Sequence, residues 1–202
     1  MAQPQTRFSP QEYLAHERAA ATRSEYLDGQ IFTLAGASRR HNLITLNLGA
    51  ELRAQLRRRP CEVYTSAMRV KIPATGLYTY PDVVAVCGEP SFEDSELDTL
   101  LNPTLLIEVL SKSTADRDRG GKFEHYRSID SVQEVLFVAQ DRVHVMRYER
   151  QPDSTWLLSE TRDGGGRMAL SSIAAELDIA EVYAKVRFDD VPRPTPVPGP
   201  EA

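Results

Sequence analysis

The chain contains two short apolar segments that each carry one carboxylate, Tyr80-Pro81-Asp82-Val83-Val84-Ala85-Val86 and Leu105-Leu106-Ile107-Glu108-Val109-Leu110-Ser111. Runs of this length and aliphatic content are typical of strands buried in a sheet. An ionised carboxylate is costly to bury unless a cation or hydrogen bonds compensate its charge. Two such strands can be neighbours, and we therefore predict a divalent metal ion held between Asp82 and Glu108.

Lys122 follows the second segment, on what the pattern predicts to be the next helix. Hydrolysis of a phosphodiester needs a nucleophilic water, a neutralised phosphate and a stabilised leaving oxygen, and Mg²⁺ can supply much of all three. Mg²⁺ prefers one or two carboxylates with waters and substrate phosphate. We therefore expect Mg²⁺, with Mn²⁺ as a substitute, at Asp82, Glu108 and the backbone carbonyl of Val109. Lys122 is expected near the attacking water, where its charge lowers the pKa of that water.

Three further residues are candidates for contact with a substrate. Tyr126 lies four residues after Lys122 on the same helix face, so it either serves the lysine or a phosphate, or packs the helix against the sheet. His41 begins another predicted helix and is either a phosphate or leaving-group contact or an ordinary surface residue. Ser111 has no histidine and acid beside it for nucleophilic catalysis, so helix capping or phosphate contact is the better interpretation.

The remaining pattern indicates one mixed α/β domain. Helices are expected from Pro10 to about Ala21 and from about Arg40 to Arg58, with a hairpin at Asp28-Gly29 between them. The expected later elements run from Cys61 to Ile72, Val135 to Ala139, Val143 to Tyr148 and Thr155 to Glu160, all strands, and from Ile179 to Lys185, a short helix. Residues 1–190 are predicted to form a single domain, and residues 191–202 a disordered, proline-rich tail.

Composition limits the classes of protein that fit. The chain has 202 residues, 24 basic and 29 acidic, for a net charge of −5. This argues against a broadly basic nucleic-acid-binding surface but not against a nuclease, because active-site carboxylates add to the negative count. Basic residues cluster at Arg39-Arg40-His41 and Arg57-Arg58-Arg59, as solvated helix ends or as a phosphate track.

Neither a membrane span nor a zinc site is expected. No apolar run approaches the roughly 20 residues that a membrane-spanning helix needs. Cys61 and Cys87 have no CxxC partner, and the four histidines are scattered along the chain. Reduced cysteines and a cytoplasmic location are therefore expected.

Taken together, these motifs resemble one known family. The pattern combines Tyr80 to Cys87, Ile107 to Ser111, Ser113-Thr114, Asp118-Arg119-Gly120, Lys122-Phe123 and Tyr126. Upstream matches are Tyr13-Leu14, Arg23 to Tyr26, Asp28-Gly29, Gly36-Ala37-Ser38, His41-Asn42 and Arg59-Pro60-Cys61. The combination resembles the Uma-two family, whose members are similar to restriction endonucleases of the PD-(D/E)xK superfamily. The resemblance extends over roughly Ser9 to Val186.

The resemblance implies a restriction-endonuclease-like fold, with a central mixed β-sheet flanked by helices. It places the acidic pair of the superfamily on Asp82 and Glu108. The superfamily lysine usually lies two residues after the glutamate, where this chain has Leu110, and the resemblance moves that role to Lys122. Glu25 corresponds to an N-terminal acidic residue that assists metal or water binding. Lys112 departs from the family, which commonly has proline between the two serines.

We therefore expect a Mg²⁺-dependent DNA endonuclease, in which Asp82 and Glu108 bind the metal, Lys122 activates water and Glu25 assists. One alternative is a catalytically inactive module that binds nucleic acid or protein on the same fold. Another is a nuclease that acts on RNA or on branched DNA. A homodimer would suit the cleavage of both strands of a duplex, although no residue pattern establishes it.

Overall fold

A computed structural model describes residues 7–110 and 115–189, with the backbone alone for residues 115–119. The predicted tail and Ser111 lie outside the described residues. The helices are α1 (Pro10–Ala19), α2 (Arg39–Leu56), α3 (Ala115–Tyr126) and α4 (Ile179–Val182). The strands are β1 (Ser24–Leu27), β2 (Gln30–Thr33), β3 (Cys61–Thr65), β4 (Arg69–Ile72), β5 (Leu77–Thr79), β6 (Val83–Cys87), β7 (Thr99–Leu100), β8 (Leu105–Leu110), β9 (Glu134–Ala139), β10 (Val145–Arg150), β11 (Trp156–Thr161), β12 (Arg167–Leu170) and β13 (Ala175–Asp178).

A six-stranded mixed sheet, in the order β11-β10-β9-β8-β6-β3, carries both of the carboxylate segments. Strands β8 and β9 are parallel and every other neighbouring pair in this sheet is antiparallel. Helices pack on both faces of the sheet. The predicted fold, a mixed sheet flanked by helices, is confirmed.

Alternation along β8 divides its side chains between the two faces of the sheet. One face joins the apolar stripe of α2, formed by Ile44, Leu48, Leu52 and Leu56, in a fully buried cluster. The opposite face packs against the end of α3 and against β4 and β5. Glu108 belongs to this second face, because it alternates with Ile107 and Val109 of the first. The register of β8 thus decides which helix can reach the glutamate.

A second, five-stranded sheet has the order β2-β1-β5-β4-β7. Its first hairpin turns at Asp28 and Gly29, whose φ angles of 51° and 82° suit a type I′ turn. Tyr13, Tyr26 and Tyr78 form a buried aromatic cluster that fixes α1 to this sheet, with ring centroids 5.0 to 5.7 Å apart. The predicted hairpin and the first helix, capped by Ser9, are both present.

The single strand predicted from Cys61 to Ile72 is wrong. A turn, closed by a hydrogen bond from the Met68 N–H to the Thr65 carbonyl, divides it into β3 and β4. The first half pairs with β6 in the large sheet and the second with β5 in the small one. The turn contains no glycine or proline, which is why the pattern alone does not reveal the change of sheet.

The two cysteines also differ from expectation. Cys61 and Cys87 face each other in the register of β3 and β6 and form a disulfide. Their 26-residue separation hides this pairing from a search for local cysteine motifs. The expectation of reduced thiols is therefore not met, and the cytoplasmic location inferred from it stays a prediction. Within the described residues, no helix is both long and apolar enough to cross a membrane.

Candidate active site

The two carboxylates of the apolar segments lie next to each other. Asp82 immediately precedes β6 and Glu108 is the fourth residue of β8. The antiparallel register pairs Val83 with Ile107, which places Asp82 opposite Glu108. Only 7% of Asp82 and 6% of Glu108 are exposed. The structure thus brings the predicted pair together in a nearly inaccessible position.

Asp82 is held by a backbone donor and by a histidine. The N–H of Val109 donates to Asp82 Oδ2 at 2.7 Å, and His41 Nε2 lies 3.1 Å from each carboxylate oxygen. His41 sits in the first turn of α2, and its own N–H donates to the capping hydroxyl of Ser38. Burial lowers the pKa of His41, but the hydrogen bond to Asp82 and its charge outweigh burial and raise that pKa overall. His41 therefore belongs to the site through its contact with Asp82.

Lys122 lies between two carboxylates. Its Nζ is 3.0 Å from Glu108 Oε1 and 3.2 Å from Glu25 Oε1. Burial opposes the ammonium charge, yet the negative charges of Glu108 and Glu25 outweigh burial and raise the pKa of Lys122 well above its ordinary value. The lysine is therefore a fixed cation, and it does not accept a proton from water.

Tyr126 packs the helix against the sheet, which is one of the two roles that the sequence left open, and it also contacts Glu108. Its ring is fully buried in the apolar cluster between α3 and the large sheet. Its hydroxyl donates to Glu108 Oε1, the oxygen that also contacts Lys122. Burial, followed by the charge of Glu108, raises the pKa of Tyr126 well above its ordinary value, so the hydroxyl stays a donor.

The positive charge near the acidic pair does not fully offset the cost of burying Glu108 in its ionised form. Burial raises the pKa of Glu108 to about 7; Lys122 lowers it in part, and the charge of Asp82 raises it again. A nearby cation would favour the ionised form of both groups. Two buried oxygen donors of this kind fit a hard divalent ion such as Mg²⁺ or Mn²⁺.

Val109 can add a third oxygen to this set. In a strand the N–H and C=O of one residue point to the same neighbouring strand, so the Val109 carbonyl points to the side of Asp82, where its N–H donates. Among residues 7–110 and 115–189, no three His, Cys, Asp or Glu side chains form a metal-binding group. The donor set thus suits an ion that takes its other ligands from water and substrate phosphate.

The acidic pair and Lys122 line a groove of about 1130 Å³. Its other residues come from the turn before β1, residues 34–38, the start of α2, and the loop after β9. Residues 34–38 are fixed at both ends: the Leu34 N–H donates to the Arg23 carbonyl at 2.9 Å, and the Ser38 hydroxyl donates to the side chain of Gln140. Its volume lies just above the roughly 300–1,000 Å³ that is typical of pockets for small molecules.

The geometry agrees with the comparison to known families. The model of a family described as "Uma2: Putative restriction endonuclease" matches residues 10–181. The chain belongs to this family. Two uncharacterized proteins of Synechocystis are similar to it in sequence. The first, sll1609, is 40% identical over 149 residues, which are 74% of this chain and 84% of that protein. The second, slr1290, is 32% identical over 185 residues, 92% of this chain and 96% of that protein.

A solved structure supports the fold of this Uma2 protein. It is described as a putative nuclease belonging to DUF820, from Anabaena variabilis, and it matches with a TM-score of 0.65 at 16% identity. The match covers 86% of this chain and 96% of that one. At this identity the likeness shows the fold alone, which is restriction-endonuclease-like.

The sequence did not single out several groove residues of this Uma2 protein. Gln140 and Asp141 follow β9, far along the chain from the acidic pair, and reach the groove because β9 pairs with β8. Ser38 carries a detectable signal, since it is a capping residue type three positions before His41. Arg23 belongs to the motifs that match the family, but a lone arginine before a predicted strand has no spacing that predicts a role in the site. The hypothesis for Ser111 falls outside the described residues.

Proposed function

We propose that this Uma2 protein is a metal-dependent endonuclease that hydrolyses phosphodiester bonds in DNA. The observation that carries the proposal is the buried pair Asp82 and Glu108, with the ammonium of Lys122 3.0 Å from Glu108, all three lining one groove. Burying two carboxylates beside such a groove costs free energy when their negative charge is only partly compensated, and a purely structural protein gains nothing from that cost.

Asp82, Glu108 and the carbonyl of Val109 would hold Mg²⁺ or Mn²⁺ in this proposal. When bound, the ion supplies a neutralising charge for the phosphate and a more acidic water. The chain itself orients the two carboxylates: Asp82 receives the N–H of Val109 and the ring of His41, and Glu108 receives Tyr126 and Lys122.

Lys122 would stabilise charge that develops on the phosphate and orient the attacking water. Its high pKa makes it a permanent cation, and its two carboxylate partners hold the ammonium in one place. Such a preorganised charge in a site with little water is worth far more than the same charge in solution. Glu25 contributes by holding the ammonium of Lys122 at 3.2 Å.

His41 is better assigned to positioning Asp82 than to direct contact with the substrate. Its Nε2 is engaged by the aspartate, and its Nδ1 is buried without a hydrogen-bond partner. With Nε2 at Asp82 and Nδ1 buried, the imidazole fixes the position of the carboxylate. Tyr126 has the corresponding position beside Glu108.

The test is the nicking of supercoiled plasmid DNA by purified protein with Mg²⁺, Mn²⁺ or Ca²⁺, alongside Asp82→Asn, Glu108→Gln and Lys122→Met. Glu124→Gln is the matched control, because Glu124 also lies on α3 but its side chain is 65% exposed. We expect cleavage with Mg²⁺ or Mn²⁺ that the control retains and the three site variants lose by more than a hundredfold.

Other outcomes would redirect the assignment. Cleavage that survives in all three site variants would refute the site. No cleavage of plasmid, but cleavage of RNA or of a branched DNA junction, would keep the site and change the substrate. No cleavage of any of these, with no heat of binding on titration with Mn²⁺, would favour an inactive binding module. Sedimentation of the same samples would test the proposed homodimer.

A further inference from the structure

We propose that Arg23 and Arg40 bind the backbone phosphates on either side of the scissile phosphate, so that the substrate is a polynucleotide strand with phosphates on both sides of the cleaved bond. This inference rests on the proposed nuclease function. It assigns a role to two residues of the groove that contact neither the acidic pair nor Lys122, and it defines the least substrate that the groove can hold.

Both arginines line the groove, but they come from different parts of the fold. Arg23 immediately precedes β1 of the small sheet, and its guanidinium lies 5.8 Å from the ring centroid of Tyr80. Arg40 lies in the first turn of α2, next to His41. The groove therefore receives one arginine from each of two separate elements.

The contacts of their neighbours connect both arginines to the surroundings of Asp82. Arg23 lies over Tyr80, which is two residues before Asp82. Arg40 precedes His41, whose ring contacts Asp82 at 3.1 Å. Both arginines also line the groove that contains Asp82 and Glu108. A phosphate positioned at the acidic pair therefore has two guanidinium groups, from separate elements, within the same groove.

Residues 34–38 connect the backbone beside Arg23 to the start of the helix that carries Arg40. Its first residue, Leu34, is hydrogen-bonded to the backbone of Arg23, and its last, Ser38, caps the helix that carries Arg40. Its middle residues are Ala35, Gly36 and Ala37, all exposed, and a methyl group added at Gly36 would meet no atom within 4 Å. A smooth wall of small side chains between two cations leaves room for a sugar–phosphate chain.

Neither arginine is neutralised by a carboxylate among the described residues. Arg23 donates to the Ser66 carbonyl at 2.6 Å, and Arg40 donates to the Phe188 carbonyl at 3.2 Å. A guanidinium has five N–H donors, so each retains donors for another acceptor. Arg18, by contrast, is saturated by two aspartates, with 2.8 Å contacts to Asp94 and Asp98.

The positive charges of the groove are available to an anionic ligand. The rim carboxylate Asp141 is already paired with Arg142 at 3.1 Å, so it does not compete for Arg40. Because the whole chain carries a net charge of −5, attraction of a nucleic acid must be local rather than general. Guanidinium groups bind phosphate in a forked geometry and are the usual choice for such contacts.

The experiment measures binding of a short fluorescein-labelled DNA strand, single or duplex, by fluorescence anisotropy in EDTA over a range of salt concentrations. Arg23→Ala and Arg40→Ala are each compared with Arg162→Ala, a control whose side chain is 70% exposed and outside the groove. Each phosphate contact contributes to the slope of log K against log salt, by about 0.7 for a single strand and about 0.9 for a duplex.

We expect each groove variant to lower the slope by about that amount and the double variant by about twice as much. The strand form that the groove accepts is the one whose loss of slope, divided by about 0.7 for a single strand or by about 0.9 for a duplex, comes to about one phosphate contact for each arginine. Two results would overturn the proposal. One is a slope that stays at the wild-type value in both groove variants, and the other is a slope that falls as much in the Arg162→Ala control as in the groove variants. Circular dichroism of each variant separates a lost contact from a lost fold, and Arg→Lys changes are expected to restore most of the slope because they keep the charge.

The result is independent of whether the protein cleaves DNA, since EDTA removes the metal. Altered slopes in a protein that never cleaves would refute the nuclease function and keep this binding site. Conversely, active enzyme with unchanged slopes would refute the site alone. With active enzyme, the two variants should lower kcat/KM on an oligonucleotide but leave a dinucleotide with a single phosphodiester unaffected; equal losses on both substrates would also count against the proposal.

Discussion

Glu108→Gln should change how the stability of the metal-free protein depends on pH. Burial raises the pKa of the Glu108 carboxyl from an ordinary 4.5 to about 7 in the folded state. The folded state therefore holds this proton more tightly than the unfolded chain does. Stability from this group is present in full below pH 4.5, decreases as the pH rises, and is lost above about pH 7.

The size of the effect follows from the pKa difference. The change from 4.5 to about 7 corresponds to about 3 kcal/mol in the free energy of unfolding. Glutamine has the same shape and no proton to lose, so the variant lacks this dependence. The difference in stability, variant minus wild type, should therefore rise by about 3 kcal/mol between pH 4.5 and pH 7. The variant also loses the contact with Lys122. This loss shifts the stability difference by a constant amount and does not produce the change between pH 4.5 and pH 7.

The assay is urea unfolding in EDTA at several pH values, followed by circular dichroism. Glu124→Gln provides the control, because an exposed carboxylate on the same helix should show no such window. Addition of Mg²⁺ at pH 7.5 tests the cause, since an ion that binds only the folded state at a hundred times its Kd adds about 2.7 kcal/mol. Wild type should gain this and Glu108→Gln should not.

A stability difference that stays flat from pH 4.5 to pH 7 would show that Glu108 is ionised at little cost. The buried acidic pair would then have no need of a further cation. Equal stabilisation of wild type and variant by Mg²⁺ would place the metal elsewhere.

Three further predictions concern the lysine, the first hairpin and the core. Lys122→Met should lose cleavage and lower stability by about 3–5 kcal/mol at pH 8, because it leaves buried carboxylates unpaired, and denaturant unfolding should show a smaller loss near pH 5. Gly29→Ala should cost at least about 1 kcal/mol, since φ is 82° and the added Cβ would lie 2.9 Å from Arg7 Cβ; a thermal melt unchanged from wild type would contradict this. Leu48→Ala should cost about 2–5 kcal/mol in urea without altering Mn²⁺ affinity, because it opens a cavity under α2 on the face away from Glu108; weakened Mn²⁺ binding would be the opposing result.

The acidic pair could be predicted from the sequence because burial of a charge is expensive and therefore leaves a clear trace. Asp82 and Glu108 are conspicuous as single carboxylates in otherwise apolar strands, and the cost of burying them led to the prediction that the two strands are neighbours. Lys122 was singled out by its place after the second strand, and Tyr126 by its spacing of four from Lys122 on one helix. Local chemistry was sufficient for each of these residues.

Features that depend on contacts between distant parts of the chain could not be predicted. The hydrogen bond between Ser38 and Gln140 spans 102 residues, and nothing near either one specifies the other. The break between β3 and β4 at Ser66 has no glycine or proline to mark it. Strand β7 has only two residues, too few for a period to be visible. The disulfide between Cys61 and Cys87 depends on the register of two strands rather than on cysteine spacing.

The parallel pairing of β8 with β9 has a consequence for how such a site can evolve. Parallel neighbours require a crossover connection, and α3, which lies between them in the chain, provides it. Lys122 therefore resides on an element that the sheet needs in any case. Freed from supplying the cation, position 110 is a leucine, 4% exposed in the apolar core. The cation beside Glu108 and the packing of the strand are thus supplied by different elements, so a substitution at position 110 can alter the core without removing the ammonium from Glu108.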